Sequence, residues 1–183
     1  MTGAPGDQVS LAVTLSTMGT LVAGTQNDLT FDGAVTFYPP REKEVNTTIA
    51  AVRACSATRD QACAADADCP PGESCRFAPA CAVNPAINKE ASMFGFLPSG
   101  CVPAQDCTGV RSLVFSLIDP NRPITDGSVL YTCSVDIAPT AIPGEYPLRI
   151  GNVVLAYPSP PGGPVLGATG ISGKIVVSGG ASP

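Results

Sequence analysis

Nineteen prolines and nineteen glycines are spread through this 183-residue chain, and a chain so punctuated cannot build long helices. Proline removes a helix hydrogen bond and clashes with the preceding turn, and glycine weakens helix interiors. Short strands joined by turns fit this constraint. The first segment supports them. Val9, Leu11, Val13 and Leu15 fall on one face and Ser10, Thr14 and Ser16 on the other, the period-2 pattern of a half-buried strand.

Further strand signals follow. Leu29 and Phe31 share a face before an Asp32-Gly33 turn, and "AVTFYPP" reads as a strand stopped by Pro39-Pro40. Residues 41–54 fit a strand or a short helix. "NKEASMFGFLPSG" allows one helical turn ended by Pro98. In "VRSLVFSLI", Leu113, Phe115 and Leu117 share a face. Val129, Tyr131, Cys133, Val135 and Ile137 alternate in the next run. "PTAIPGEYPLRIGNVVLAY" holds two strand runs, and "SGKIVVSG" closes the chain. The spacing predicts an all-β antiparallel sandwich of jelly-roll type with about nine strands. Residues 1–183 suffice for one core and are cramped for two, so a single domain is expected.

Seven of the eight cysteines lie between Cys55 and Cys107, where strand periodicity fades. Residues 55–107 therefore read as an insertion, stapled because it has little core of its own. Cys63, Cys69, Cys75 and Cys81 stand six residues apart, with Asp66, Asp68 and Glu73 among them. Structural zinc sites favour close cysteine pairs or histidine, and the chain has neither. A thioredoxin-like site requires Cys-x-x-Cys. Asp66, Asp68 and Glu73 could supply calcium oxygens, but six to eight are wanted and the EF-hand register is missing. Disulfides among Cys55, Cys63, Cys69, Cys75, Cys81, Cys101, Cys107 and Cys133 are favoured, with no metal. They imply an extracytoplasmic home. Eight cysteines allow about a hundred pairings, so connectivity is not legible. Cys133 sits alone on an apolar strand face. It is either a buried core residue or an anchor for the insertion, and the even count favours the anchor.

The net charge is −5, and Arg41 and Lys43 are neutralised by Glu42 and Glu44. Nucleic acid demands a basic footprint, so that partner is not expected. No apolar run reaches the length of a membrane span. "MTGAPGDQVS" lacks the regions of a signal peptide, so a secreted chain would have lost its leader or be a module of a larger protein. No histidine is present, which removes the commonest general base and most triads. The carboxylates Asp28 and Asp32 are four apart, but Asp32 is explained by its turn. Asp119 and Asp126 read as turn formers. No catalytic residue and no cofactor are expected. The Asn46-Thr47-Thr48 sequon reads as a chance occurrence.

Three stretches resemble the cohesin domain, the jelly-roll module that binds dockerins: "GDQVSLAVTLS", "VAGTQNDLTFDGAV", and "DGSVLYTCSVDIAPTAIPGEYPLRIGNVVLAYP" with "GKIVV". "DADCPPGESC" resembles a short cysteine-knotted repeat of secreted bacterial proteins, which implies a staple. The cohesin resemblance implies a non-catalytic, extracellular or cell-surface module that docks a dockerin-like protein. No binding residues are carried over. A structural spacer in a large surface protein is the first alternative. A carbohydrate-binding module is the second, but sugar sites lean on exposed aromatics. Tryptophan is absent, the tyrosines are Tyr38, Tyr131, Tyr146 and Tyr157, and Tyr131 points to the core. Polysaccharide remains a possible ligand.

Overall fold

The computed structural model describes residues 1–31, 47–58, 61–103, 105–158 and 163–179. Strands are numbered in chain order. The larger sheet runs β1 (Thr2–Gly3), β13 (Gly173–Val177), β11 (Gly144–Ala156), β3 (Gly24–Phe31), β9 (Gly109–Val114), β8 (Met93–Leu97), and β12 (Pro164–Val165) extends the edge of β11. The smaller sheet centres on β10 (Val129–Ile137). β2 (Gln8–Thr14) lies on one edge of β10, and β4 (Thr47–Ile49) and β7 (Cys81–Val83) share the other. A separate ribbon pairs β5 (Ala51–Cys55) with β6 (Cys75–Pro79). Among the described residues, all strand pairings are antiparallel except β1 with β13. Among the described residues no helix is long and apolar enough to cross a membrane.

The sandwich core follows from alternation. Leu11 and Val13 of β2 and Tyr131, Cys133, Val135 and Ile137 of β10 face inward. They meet Leu29 and Phe31 of β3, Val110 and Val114 of β9, Leu148 of β11 and Ile175 of β13. Burying each such side chain contributes about 1.5–3 kcal/mol. A jelly-roll sandwich is present. The described strands exceed nine because the cysteine-rich stretch contributes strands of its own and β12 adds a two-residue bridge.

Four readings change. Residues 93–97 form strand β8 rather than a helical turn; the helical turn nearby is a 3₁₀ turn at Pro85–Ile87, capped by Asn84. The inward face of β9 is Val110, Ser112 and Val114. Leu113 and Phe115 are half-buried, and Leu117 is exposed. A one-residue offset reverses faces in a strand, and Ser112 misleads because a polar side chain fills a core position. Its hydroxyl donates to Asn27 Oδ1 at 2.7 Å, and Asn27 donates to the Tyr131 hydroxyl at 2.8 Å. The two runs of 144–156 are one strand with a register break between Gly151 and Val154, where Asn152 takes φ +48°. Finally, residues 81–97 carry β7 and β8, and Ile87, Val83, Phe94 and Phe96 pack on the core. Among the described strands, only those of the β5–β6 ribbon stand outside the two sheets.

The ribbon leaves the small sheet at a three-way junction. Ala50 donates to the Ser134 carbonyl, Ala80 to that of Ala50, and Ser134 to that of Ala80. β4 thus lies beside β10 up to Ile49, the chain departs as the ribbon, and β7 resumes the same edge at Cys81. The Asp32-Gly33 turn, the strand expected at 34–40, residues 41–46 of the ambiguous segment and Asn46 lie outside the described residues. Thr47–Ile49 and Ala51–Cys55 are strands.

Candidate functional site

The strands β11, β3, β9 and β8 present an outer face with cross-strand rows fixed by register. Val154, Gln26, Leu113 and Met93 form one row; Gly151, Asp28, Arg111 and Gly95 the next; Arg149, Thr30, Gly109 and Leu97 the third. The first row carries exposed apolar surface: Val154 is 45% and Met93 39% exposed. The middle row is polar at its centre. Arg111 Nε and Nη2 donate to the two Asp28 carboxylate oxygens, each at 2.7 Å, and Asn152 Nδ2 donates to Asp28 Oδ2 at 2.7 Å. The β11 register break brings Asn152 there. The hydrogen bond from Arg111 holds the Asp28 carboxyl below the usual carboxylate range, against a burial effect that would raise it. Bidentate guanidinium–carboxylate pairs are geometrically specific. Gly95, beside Arg111, has no neighbour where a side chain would stand, so the half-exposed guanidinium stays open to a partner. Asp28 is therefore an ion-pair member, and Asp32, its partner in the catalytic alternative, lies outside the described residues.

A concavity of about 590 Å³ lies between the ribbon and the outer face of the small sheet. Ser10, Thr132 and Ser134 form its floor, and Val52 and Ala78 come from the ribbon. The ribbon also exposes Phe77, with the Arg53 guanidinium 5.6 Å from its ring centroid. The ribbon thus stands over the small sheet and pairs with no strand of the four-stranded face.

The cysteines pair as Cys55–Cys69, Cys63–Cys75, Cys81–Cys133 and Cys101–Cys107. The first two lock the ribbon and its tip loop, and the third ties the root of the ribbon to β10. Asp66, Asp68 and Glu73 do not converge; among the described residues they form no three-ligand group. Each accepts backbone amides instead. Glu73 accepts from the Ala57 and Thr58 amides and the Thr58 hydroxyl, Asp68 from the Ala64 and Ala65 amides, and Asp66 from the Cys75 amide. These donors hold Asp68 and Glu73 below the usual carboxylate range. Asp126 accepts from the Thr17 amide at 2.6 Å at the turn before β10. Tyr131 is buried, Tyr146 donates to the Ile142 carbonyl at 2.6 Å, and Tyr157 is 40% exposed. Tyr38 lies outside the described residues.

The outer rows were missed in the sequence. Their signal was the unused phase of each strand, Gln26-Asp28-Thr30 and Arg111-Leu113. Which phase faces outward could be settled only by pairing.

No protein-family model and no curated protein matches the sequence. Among solved structures, the chain is similar to the seventh ScaB type I cohesin from Pseudobacteroides cellulosolvens, at 13% identity and TM-score 0.58, covering 99% of this chain and 89% of that one. It is similar to the third ScaC cohesin from Acetivibrio cellulolyticus, held in complex with the ScaB dockerin, at 14% identity and TM-score 0.55, covering 97% and 94%. It is also similar to the sixth scaffoldin B cohesin of Acetivibrio cellulolyticus, in complex with a mutant Cel5 dockerin, at 15% identity and TM-score 0.55, covering 97% and 93%. The fold is cohesin-like.

Proposed function

We propose that this cohesin-like module is a non-catalytic docking protein of an extracellular assembly, binding a dockerin-like partner through the outer face of β11, β3, β9 and β8. The observation that carries the reading is the open face itself. It combines the exposed apolar side chains of Val154 and Met93 with an oriented Asp28–Arg111–Asn152 cluster, the mix of apolar anchors and fixed polar groups that protein interfaces use. The stapled ribbon pairs with no strand of this face, and Val154 and Met93 on it stay exposed. The fold likeness to cohesins solved with dockerins supports the partner class.

We read residues 1–183 as one domain, with the addition to the sandwich confined to the ribbon and its tip rather than all of 55–107. The four disulfides and the lack of histidine favour an extracytoplasmic, non-enzymatic role. Calorimetry against dockerin modules from the same source, alongside insoluble polysaccharide pull-downs, tests the proposal. A dockerin should bind at micromolar affinity or tighter, roughly −8 kcal/mol. Polysaccharide binding without any dockerin binding would replace it with the carbohydrate reading.

A further inference from the structure

The Asp28–Arg111 pair is neutral as a whole, but its two halves are not equally placed. The Asp28 side chain is 6% exposed and the Arg111 side chain 49%. Asp28 is taken up from two sides, by Arg111 Nε and Nη2 and by Asn152 Nδ2. A guanidinium carries five N–H donors, and Asp28 takes two of them. The other three are both hydrogens of Nη1 and one of Nη2. They form the end-on fork of the same plane, an edge that a second carboxylate can meet with two parallel bonds. Glycines flank the pair within its row. A Cβ on Gly95, directly opposite Arg111, would meet nothing within 4 Å, and neither would one on Gly151 beyond Asp28. The three rows hold one carboxylate, Asp28, against two guanidiniums, Arg111 and Arg149, on a chain whose net charge is −5. The face therefore turns positive charge outward on an acidic molecule.

Resting on the docking reading above, we infer that Arg111 is a specificity-determining residue of this face and receives a carboxylate, an Asp or Glu side chain of the protein partner. The paired bonds to Asp28 fix the guanidinium plane before a partner arrives, so less freedom is lost on binding. Met93 and Leu113 stand in the adjoining row. A partner that covers them excludes water from the seated pair, and a charge-assisted hydrogen bond strengthens as water leaves. A lysine or arginine from a partner finds no such seat. The carboxylate it would need is enclosed and already bonded, and the outward charge repels it.

Two substitutions at Gly95 test the charge while leaving Arg111 and its bonds to Asp28 in place. Gly95→Glu sets a carboxylate of this chain beside the open fork, and Gly95→Lys sets a cation of similar length there. Both enter open space on a backbone outside the left-handed region, so circular dichroism should match the wild type. Each full-length variant is titrated by calorimetry with a dockerin module that binds the wild type. Gly95→Glu should bind at least about tenfold more weakly than Gly95→Lys, because it fills the fork and repels the incoming carboxylate. Equal weakening in both variants would overturn the carboxylate assignment and leave docking on this face standing. Wild-type affinity in both, or tighter binding by Gly95→Glu, would also overturn it. Failure of every dockerin module to bind the wild type would remove the docking reading and this assignment with it.

Discussion

Cys81 of β7 and Cys133 of β10 are directly opposed partners in the antiparallel register, and they are bonded. The bond joins residues 52 apart in sequence, whereas Cys101–Cys107 spans six. A cross-link restricts the unfolded chain more when its loop is longer. Loss of the pair in Cys81→Ser/Cys133→Ser should therefore cost about 4 kcal/mol, and Cys101→Ser/Cys107→Ser about 2 kcal/mol. Urea unfolding of the two double variants checks the order. Equal midpoints would contradict it.

Tyr131 is 1% exposed, and its hydroxyl accepts from Asn27. Tyr131→Phe leaves that amide proton buried without its partner. The variant should lose about 1–3 kcal/mol, the cost of an unsatisfied buried donor. Tyr146→Phe, whose hydroxyl contacts an exposed carbonyl, should lose less. Thermal unfolding of the pair compares them.

Glu90 gives a pH signature. Its carboxylate accepts from the Ile118 amide, the Ser116 hydroxyl and the Leu117 amide, and its pKa falls to about 2 from 4.5. A folded pKa below the unfolded one means the stabilisation is whole above about 4.5, fades as pH falls towards about 2, and is gone beneath both values. The difference in melting temperature between wild type and Glu90→Gln should shrink across that window and stay flat from pH about 5 to about 7. A difference that grows on acidification would contradict the assigned bonds.

Alternation made the β2, β10 and β13 strands legible, because each has one dry face and regular apolar residues on it. The phase of β9 was hidden: Ser112 belongs to a core hydrogen-bond cluster with Asn27 and Tyr131, and hydropathy assigns the core face to Leu113. The cysteine-rich stretch reads as one insertion because its strands are only three to five residues long and hold few periodic apolar positions. Yet β7 and β8 are sandwich strands whose partners, Tyr131 to Cys133 and Gly109 to Leu113, lie far along the chain. Deleting residues 56–106 would thus remove the sandwich strands β7 and β8 together with β6 of the ribbon. The site was least legible, since Val154, Gln26, Leu113 and Met93 become neighbours only by pairing.

The central claim is the docking face, and one calorimetric comparison tests it. A dockerin that binds the wild type is titrated into Met93→Glu/Val154→Glu, which places charge on the apolar row, and into Val52→Glu/Phe77→Glu on the ribbon. Both positions in each variant are exposed, so the fold should hold, as circular dichroism would verify. The face variant should lose at least about thirtyfold in affinity, the effect of removing about 2 kcal/mol of anchor contacts, with the ribbon variant unchanged. Unaltered affinity in the face variant and lost affinity in the ribbon variant would contradict it.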